Sequence, residues 1–174
     1  GQDAGQPYPF FLAHPLDVAP PALGEVSQWL AEWKYDGIRA QLVRRGGQLW
    51  IWSRGEELIT DRFPEFAPLA DFLPEGTVMD GEIIATRAGK PLPFAALQTR
   101  IARKTLSKAH LTAAPAHLLA YDLLEWGGQD LRTQPFAERR AQEWSTTGST
   151  RPGAPFDQPF HLILNLAIGG KLAE

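Results

Sequence analysis

Cysteine is absent from the 174 residues, which excludes a disulfide frame, a thiolate metal site and a cysteine nucleophile. That absence suits a reducing compartment, and a cytoplasmic location is expected. No apolar run approaches the roughly 20 residues a membrane-spanning helix needs, so no membrane partner is expected. Gly1 to Pro9 has no basic stretch leading into an apolar one, and no signal peptide is expected. The four histidines, His14, His110, His117 and His161, show no ligand spacing and read as structural or exposed. Net charge is scarce too, at −3, which as a global figure argues weakly against a polyanionic partner.

The apolar content, 44% with six Trp, is that of a packed globular chain, and the length suits one domain with a core. The charge is unevenly spread. Between Ile83 and Tyr121 there is no acidic residue, while Arg87, Lys90, Arg100, Arg103, Lys104 and Lys108 all fall inside. Such a segment fits either a solvated face or contact with a phosphate backbone.

Period and punctuation give the elements. Pro20 to Glu32 predicts a short helix with Pro21 near its start. Ile38–Val43 and Gln48–Trp52 read as strands joined through Arg45-Gly46-Gly47. Phe63, Phe66, Leu69, Ala70 and Leu73 recur at helical spacing behind Thr60 or Asp61 as a cap. Thr77–Ala85 and His117–Leu124 read as buried strands. Phe94–Lys104 reads as a helix, with Arg100, Arg103 and Lys104 beside its apolar stripe. A last helix is expected over Pro135–Trp144 with Thr133 as its cap, and alternation over Phe160–Ile168 predicts a strand. Strands and helices without regular βαβ alternation imply an α+β domain, mainly antiparallel sheets flanked by helices.

The chemistry concentrates in Glu32-Trp33-Lys34-Tyr35-Asp36-Gly37-Ile38-Arg39. A lysine is a nucleophile only when deprotonated, and partial burial beside a cation favours that form. Asp36 and Arg39 follow closely on Lys34 and suit a ribose or a phosphate. An ordinary surface hairpin of mixed charge has the same composition. Ser53-Arg54 alone carries little information, Asp80-Gly81-Glu82 alone fits a turn, and Tyr121 in an apolar run fits simple core.

Together, in order and approximate spacing from about residue 8 to residue 142, these motifs resemble the covalent nucleotidyltransferases, and within them bacterial ATP-dependent DNA ligases. Lys34-Tyr35-Asp36-Gly37-Ile38-Arg39 is similar to the family's lysine motif, Ser53-Arg54 to its Ser-Arg element and Asp80-Gly81-Glu82 to its Asp-Gly-Glu motif. Thr60, Phe63-Pro64-Glu65, the lead-in Phe11-Leu12-Ala13-His14-Pro15-Leu16 and Ala120-Tyr121-Asp122-Leu123-Leu124 resemble it as well. The resemblance implies an ATP-grasp-like ligase core using ATP and Mg²⁺ or Mn²⁺, with nicked double-stranded DNA as partner, in replication, repair or recombination. It implies that Lys34 becomes adenylated and that Glu32 reads the adenine amino group. Asp36, Gly37 and Arg39 would hold the nucleotide, Glu82 the ribose or a metal, and Tyr121 would stack on adenine. Arg54 would contact DNA near the nick, and Arg100, Arg103 and Lys104 would grip its backbone.

The resemblance stops near residue 142. The family's later E-G-x-x-x-K and lysine motifs and its OB-fold domain have no counterpart in these residues, so the core is expected to be incomplete at its C-terminal end and weak or inactive. Residues 1–144 are read as a partial adenylation domain, 145–159 as a linker and 160–174 as a separate strand segment. Pro155–Gly170 is similar to a strand of laminarinase-like β-sandwich glycoside hydrolases, without their paired-carboxylate signature. A fusion or truncation and a divergent native terminus both fit. The alternatives to a nick-sealing enzyme are a non-catalytic nucleotide- or DNA-binding module, a chimera without native activity and, more remotely, a glycan-binding module. Oligomeric state is left open.

Overall fold

The computed structural model describes residues 5–12, 15, 17–25, 34–136 and 139. Its centre is a six-stranded sheet in the order β2-β1-β3-β5-β6, with β4 paired to β3 off that path. The strands are β1 (Ile38–Arg45), β2 (Gln48–Ser53), β3 (Thr77–Arg87), β4 (Lys90–Pro91), β5 (Ala116–Trp126) and β6 (Gln129–Asp130). Every pairing is antiparallel. β1 and β2 meet through Gly46 and Gly47, both at positive φ, the backbone that a two-residue hairpin matched to strand twist requires.

Alternation along the strands makes two unlike faces. Ala40, Leu42, Met79, Ile83, Ala85, Leu118, Ala120 and Leu123 point into the main core. That face is covered by Phe63, Phe66, Leu69 and Leu73 and by Leu97 of α1 (Phe94–Ile101). The other face carries a small cluster of Val43, Val78 and Leu124 under Tyr8, Trp50 and Trp52. Beyond that cluster its side chains turn polar, and the candidate site lies there.

Several elements differ from expectation. The segment after Phe63 is a 3-10 helix, Pro64–Asp71, with no side-chain cap. Pro68 lies inside it, lacks the N–H an α-helix would use and crowds the carbonyl of Pro64, so a regular α-helix is blocked. Thr60 caps nothing; its Oγ1 accepts from the Ile51 N–H at 2.9 Å and ties the segment to β2. Of the expected first helix residues 20–25 are described; Pro20–Leu23 form a 3-10 turn that ends at Gly24. α1 ends at Ile101, short of Lys104. A second helix, α2 (Lys108–Ala113), was not expected; Ser107 and His110 form its capping box, with His where Glu or Gln is usual. Most of the helix expected over Pro135–Trp144, and all of the linker and the Phe160–Ile168 strand, lie outside the described residues.

Candidate nucleotide site

Lys34 lies just upstream of β1, separated from it by Tyr35, Asp36 and Gly37, and is exposed. Three residues on, Gly37 is held against β3, where a Cβ would collide with the Ile83 carbonyl oxygen. This close approach lets the Gly37 N–H donate to Glu82 Oε1 at 3.1 Å. The β1–β3 register sets Arg39 opposite Glu82, and the alternation of both strands puts the two side chains on the polar face. Arg39 Nε and Nη2 donate to both carboxylate oxygens of Asp80, at 2.8 and 2.6 Å. The fork-to-carboxylate geometry fixes the guanidinium plane.

Tyr121 reaches this group through an irregularity of β5. Asp80 pairs with Asp122 and Gly81 with Ala120, leaving Tyr121 as the extra residue of a bulge. A bulge re-aims one side chain without breaking the strand, and the Tyr121 ring comes to lie 5.2 Å from the Arg39 guanidinium carbon. Gly81 is required at the bulge because a Cβ there would run into the Leu119 carbonyl oxygen. The Arg39 guanidinium carbon also lies 5.9 Å from the centroid of the Phe10 ring.

The electrostatics follow from burial. Desolvation pushes the Glu82 carboxyl up to about 7, against the opposing pull of Arg39, the Gly37 N–H and the nearby Lys34 ammonium. Burial also pushes the Asp80 carboxyl up, and the Arg39 fork opposes it. Burial alone would lower Arg39, but the Asp80 hydrogen bonds and charge outweigh it and hold the guanidinium ionised.

Lys34, Gly37, Arg39, Glu82 and Tyr121 are thus gathered at one end of one sheet face, with exposed Asp36 between Lys34 and Gly37. Arg54, also exposed, adjoins them: its backbone N–H donates to the Arg39 carbonyl at 3.1 Å. Glu32 lies outside the described residues. The expected basic stripe is corrected. Arg100 is 2% exposed, pairs with Glu65, donates to the carbonyls of Arg62 and Ala114, and stacks on Phe63. It closes the core beneath the Pro64–Asp71 helix and faces no solvent. Arg103 and Lys104 are exposed, but they follow a helix that packs on the opposite face of the sheet.

Asp80 and Phe10 were not singled out from sequence as site residues. Asp80 had a signal, since two residues before Glu82 in a strand means the same face. Phe10 had none, because its position depends on a contact across the fold.

A family model described as ATP dependent DNA ligase domain matches residues 10–143. The chain belongs to that family. A probable DNA ligase of Opitutus terrae is 39% identical over 181 aligned positions, covering 97% of this chain and 18% of that protein. One from Koribacter versatilis is 38% identical over 149, covering 86% and 25%. The structure of a mycobacterial DNA ligase D complexed with ATP and MES matches the ligase-family fold with a TM-score of 0.54 at 26% identity, over 66% of this chain and 35% of that one. The chain therefore spans roughly a fifth to a third of the length of these relatives. The Opitutus alignment leaves out about five of the 174 residues, so it continues well past residue 143.

Proposed function

We propose that this ligase-family domain forms a lysyl-AMP at Lys34 for the sealing of nicked duplex DNA. The observation that carries the reading is the gathering of Lys34, the Gly37–Glu82 hydrogen bond, the Arg39–Asp80 pair and the bulged Tyr121 at one end of one face. Lys34 Nζ, once deprotonated, forms a bond to the α-phosphorus of ATP; the bond from that phosphorus to the bridging oxygen breaks and pyrophosphate leaves. Tyr121 offers a ring face for adenine, and Glu32 is its polar partner. Arg39 supplies fixed positive charge that needs no reorganisation. Glu82, its carboxyl pushed up to about 7 by burial, is suited to hydrogen-bond a ribose hydroxyl. Asp36 serves the nucleotide as well, and Arg54 faces the DNA beside the nick.

Among the described residues no group of three or more His, Cys, Asp or Glu can hold a metal ion. Glu82 would be the residue to hold Mg²⁺ or Mn²⁺, an ion that asks for only one or two protein carboxylates. The ion would supply charge neutralisation on the phosphates. Arg103 and Lys104, without Arg100, remain candidates for contact with the DNA backbone. The Opitutus alignment, which runs past residue 143, supports reading the C-terminal segment as continuous with the relative's sequence rather than as a foreign strand.

The test is incubation with ATP labelled at the α-phosphate and Mg²⁺, beside Lys34→Ala, followed by addition of nicked duplex. Lys34-dependent protein labelling supports the proposal; binding of ATP without any transfer points to a non-catalytic nucleotide-binding module.

A further inference from the structure

Residues 5–10 run across the polar face of the sheet and are tied down along their length. Gln41, fully buried in β1, accepts from the Tyr8 backbone N–H and donates to the Tyr8 carbonyl, both at 2.9 Å. Its side-chain amide thus replaces the two hydrogen bonds a neighbouring strand would supply. The Tyr8 hydroxyl donates to Glu125 at 2.6 Å, and Arg45 and Arg132 lie against its ring, with centroid distances of 5.0 and 3.7 Å. Upstream, Trp52 Nε1 donates to the Gly5 carbonyl at 2.7 Å. Two residues beyond the anchored Tyr8, Phe10 meets the Arg39 guanidinium. Arg39 and Gln41 alternate along β1, so the residue that fixes the strap and the residue the strap touches share one face.

We infer that Gln41 is a positioning residue for the nucleotide site: by holding both backbone groups of Tyr8, it sets Phe10 against Arg39 and makes Phe10 one wall of the nucleotide pocket. The inference rests on the reading of this end of the sheet as that pocket. Asp80 fixes the plane of the guanidinium from one edge, while Tyr121 and Phe10 confine it from their ring faces. Without Phe10 the guanidinium gains freedom on one side, and the pocket admits water where it had a ring.

The experiment compares wild type, Phe10→Ala, Phe10→Tyr and Gln41→Asn, with Arg39→Ala as reference, by two readouts. The first needs no ligand: the Arg39 Nε–H resonance and its exchange with water by NMR, assigned by its loss in Arg39→Ala. The second is ATP affinity by titration calorimetry. Phe10→Ala is expected to speed Arg39 Nε–H exchange and weaken ATP binding several-fold to about tenfold, the range of a cation–π contact, with its melting temperature almost unchanged. Phe10→Tyr should restore both. Gln41→Asn, too short to reach both Tyr8 groups, should reproduce the Phe10→Ala resonance. Wild-type exchange and affinity in Phe10→Ala would overturn the inference. A wild type that binds no ATP, yet whose Arg39 resonance responds to Phe10→Ala, would overturn the nucleotide reading and leave the positioning relationship standing.

Discussion

Arg39 and Asp80 form a two-pronged ion pair across β1 and β3, with Asp80 3% exposed and the Arg39 side chain 25% exposed. Removing one partner leaves the other charge in a half-buried setting. Asp80→Asn is therefore expected to destabilise the domain by about 3 kcal/mol, the low end for broken buried pairs because Arg39 keeps some access to water. Denaturant unfolding of Asp80→Asn, Arg39→Gln and the double variant measures it; a double variant no worse than Asp80→Asn is the expected coupling.

Much of this arrangement was legible in the sequence, and the reasons are local. A strand alternates, so Asp80 and Glu82 could be placed on one face of one strand, whereas Lys34 and Asp36 precede the strand that carries Arg39 and parity alone does not join them to it. What joined them was order and spacing along the chain. Three features were out of reach. The β5 bulge that turns Tyr121 comes from a two-against-one register with β3, which no single strand reveals. Arg100 lay at helical spacing beside Arg103 and Lys104, but Glu65 and the Phe63 ring pull it inward. The seat of Phe10 depends on Gln41, a polar residue in a strand whose partner lies 33 positions away.

Glu82 gives a pH dependence with a definite sign. Its folded carboxyl sits at about 7, above the ordinary value of 4.5, so between those values the unfolded chain releases a proton the folded chain retains. Stability from this residue is full below about pH 4.5, falls as pH rises to about 7, and is flat above. Glu82→Gln keeps an acceptor for the Gly37 N–H and should flatten that fall, making the variant more stable than wild type at pH 8 in EDTA. Unfolding midpoints at pH 5 and pH 8 check this; equal slopes for both proteins would contradict it.

The two kinds of glycine separate experimentally. At Gly81 a Cβ would strike the backbone of the paired strand β5, whereas at Gly89 it meets nothing within 4 Å but the backbone has φ +73°. Gly89→Ala should cost about 1 kcal/mol, the left-handed penalty. Gly81→Ala should cost at least twice that, about 2–3 kcal/mol, and loosen the bulge. Tyr121 fluorescence quenching is obscured by the six Trp, so the bulge is best followed by amide exchange at Asp122.

Arg100 and its neighbours now divide into two roles. Arg100→Ala should lower stability by about 3–5 kcal/mol by stranding Glu65. Arg103→Ala with Lys104→Ala should leave stability nearly unchanged and reduce the salt slope of nicked-duplex binding by about 2, if each contacts one phosphate. A salt slope unaffected by the pair would leave them as solvated charges.

The chemistry assigned to Lys34 is testable regardless of rate. Prolonged incubation with ATP and Mg²⁺, proteolysis at a pH that preserves phosphoramidates, and tandem mass spectrometry will locate any AMP adduct. The expected result is a minor adduct on the Lys34 peptide, absent from Lys34→Ala. An adduct on another residue, or no adduct above the Lys34→Ala blank, would contradict the assignment of Lys34 as the residue that accepts AMP.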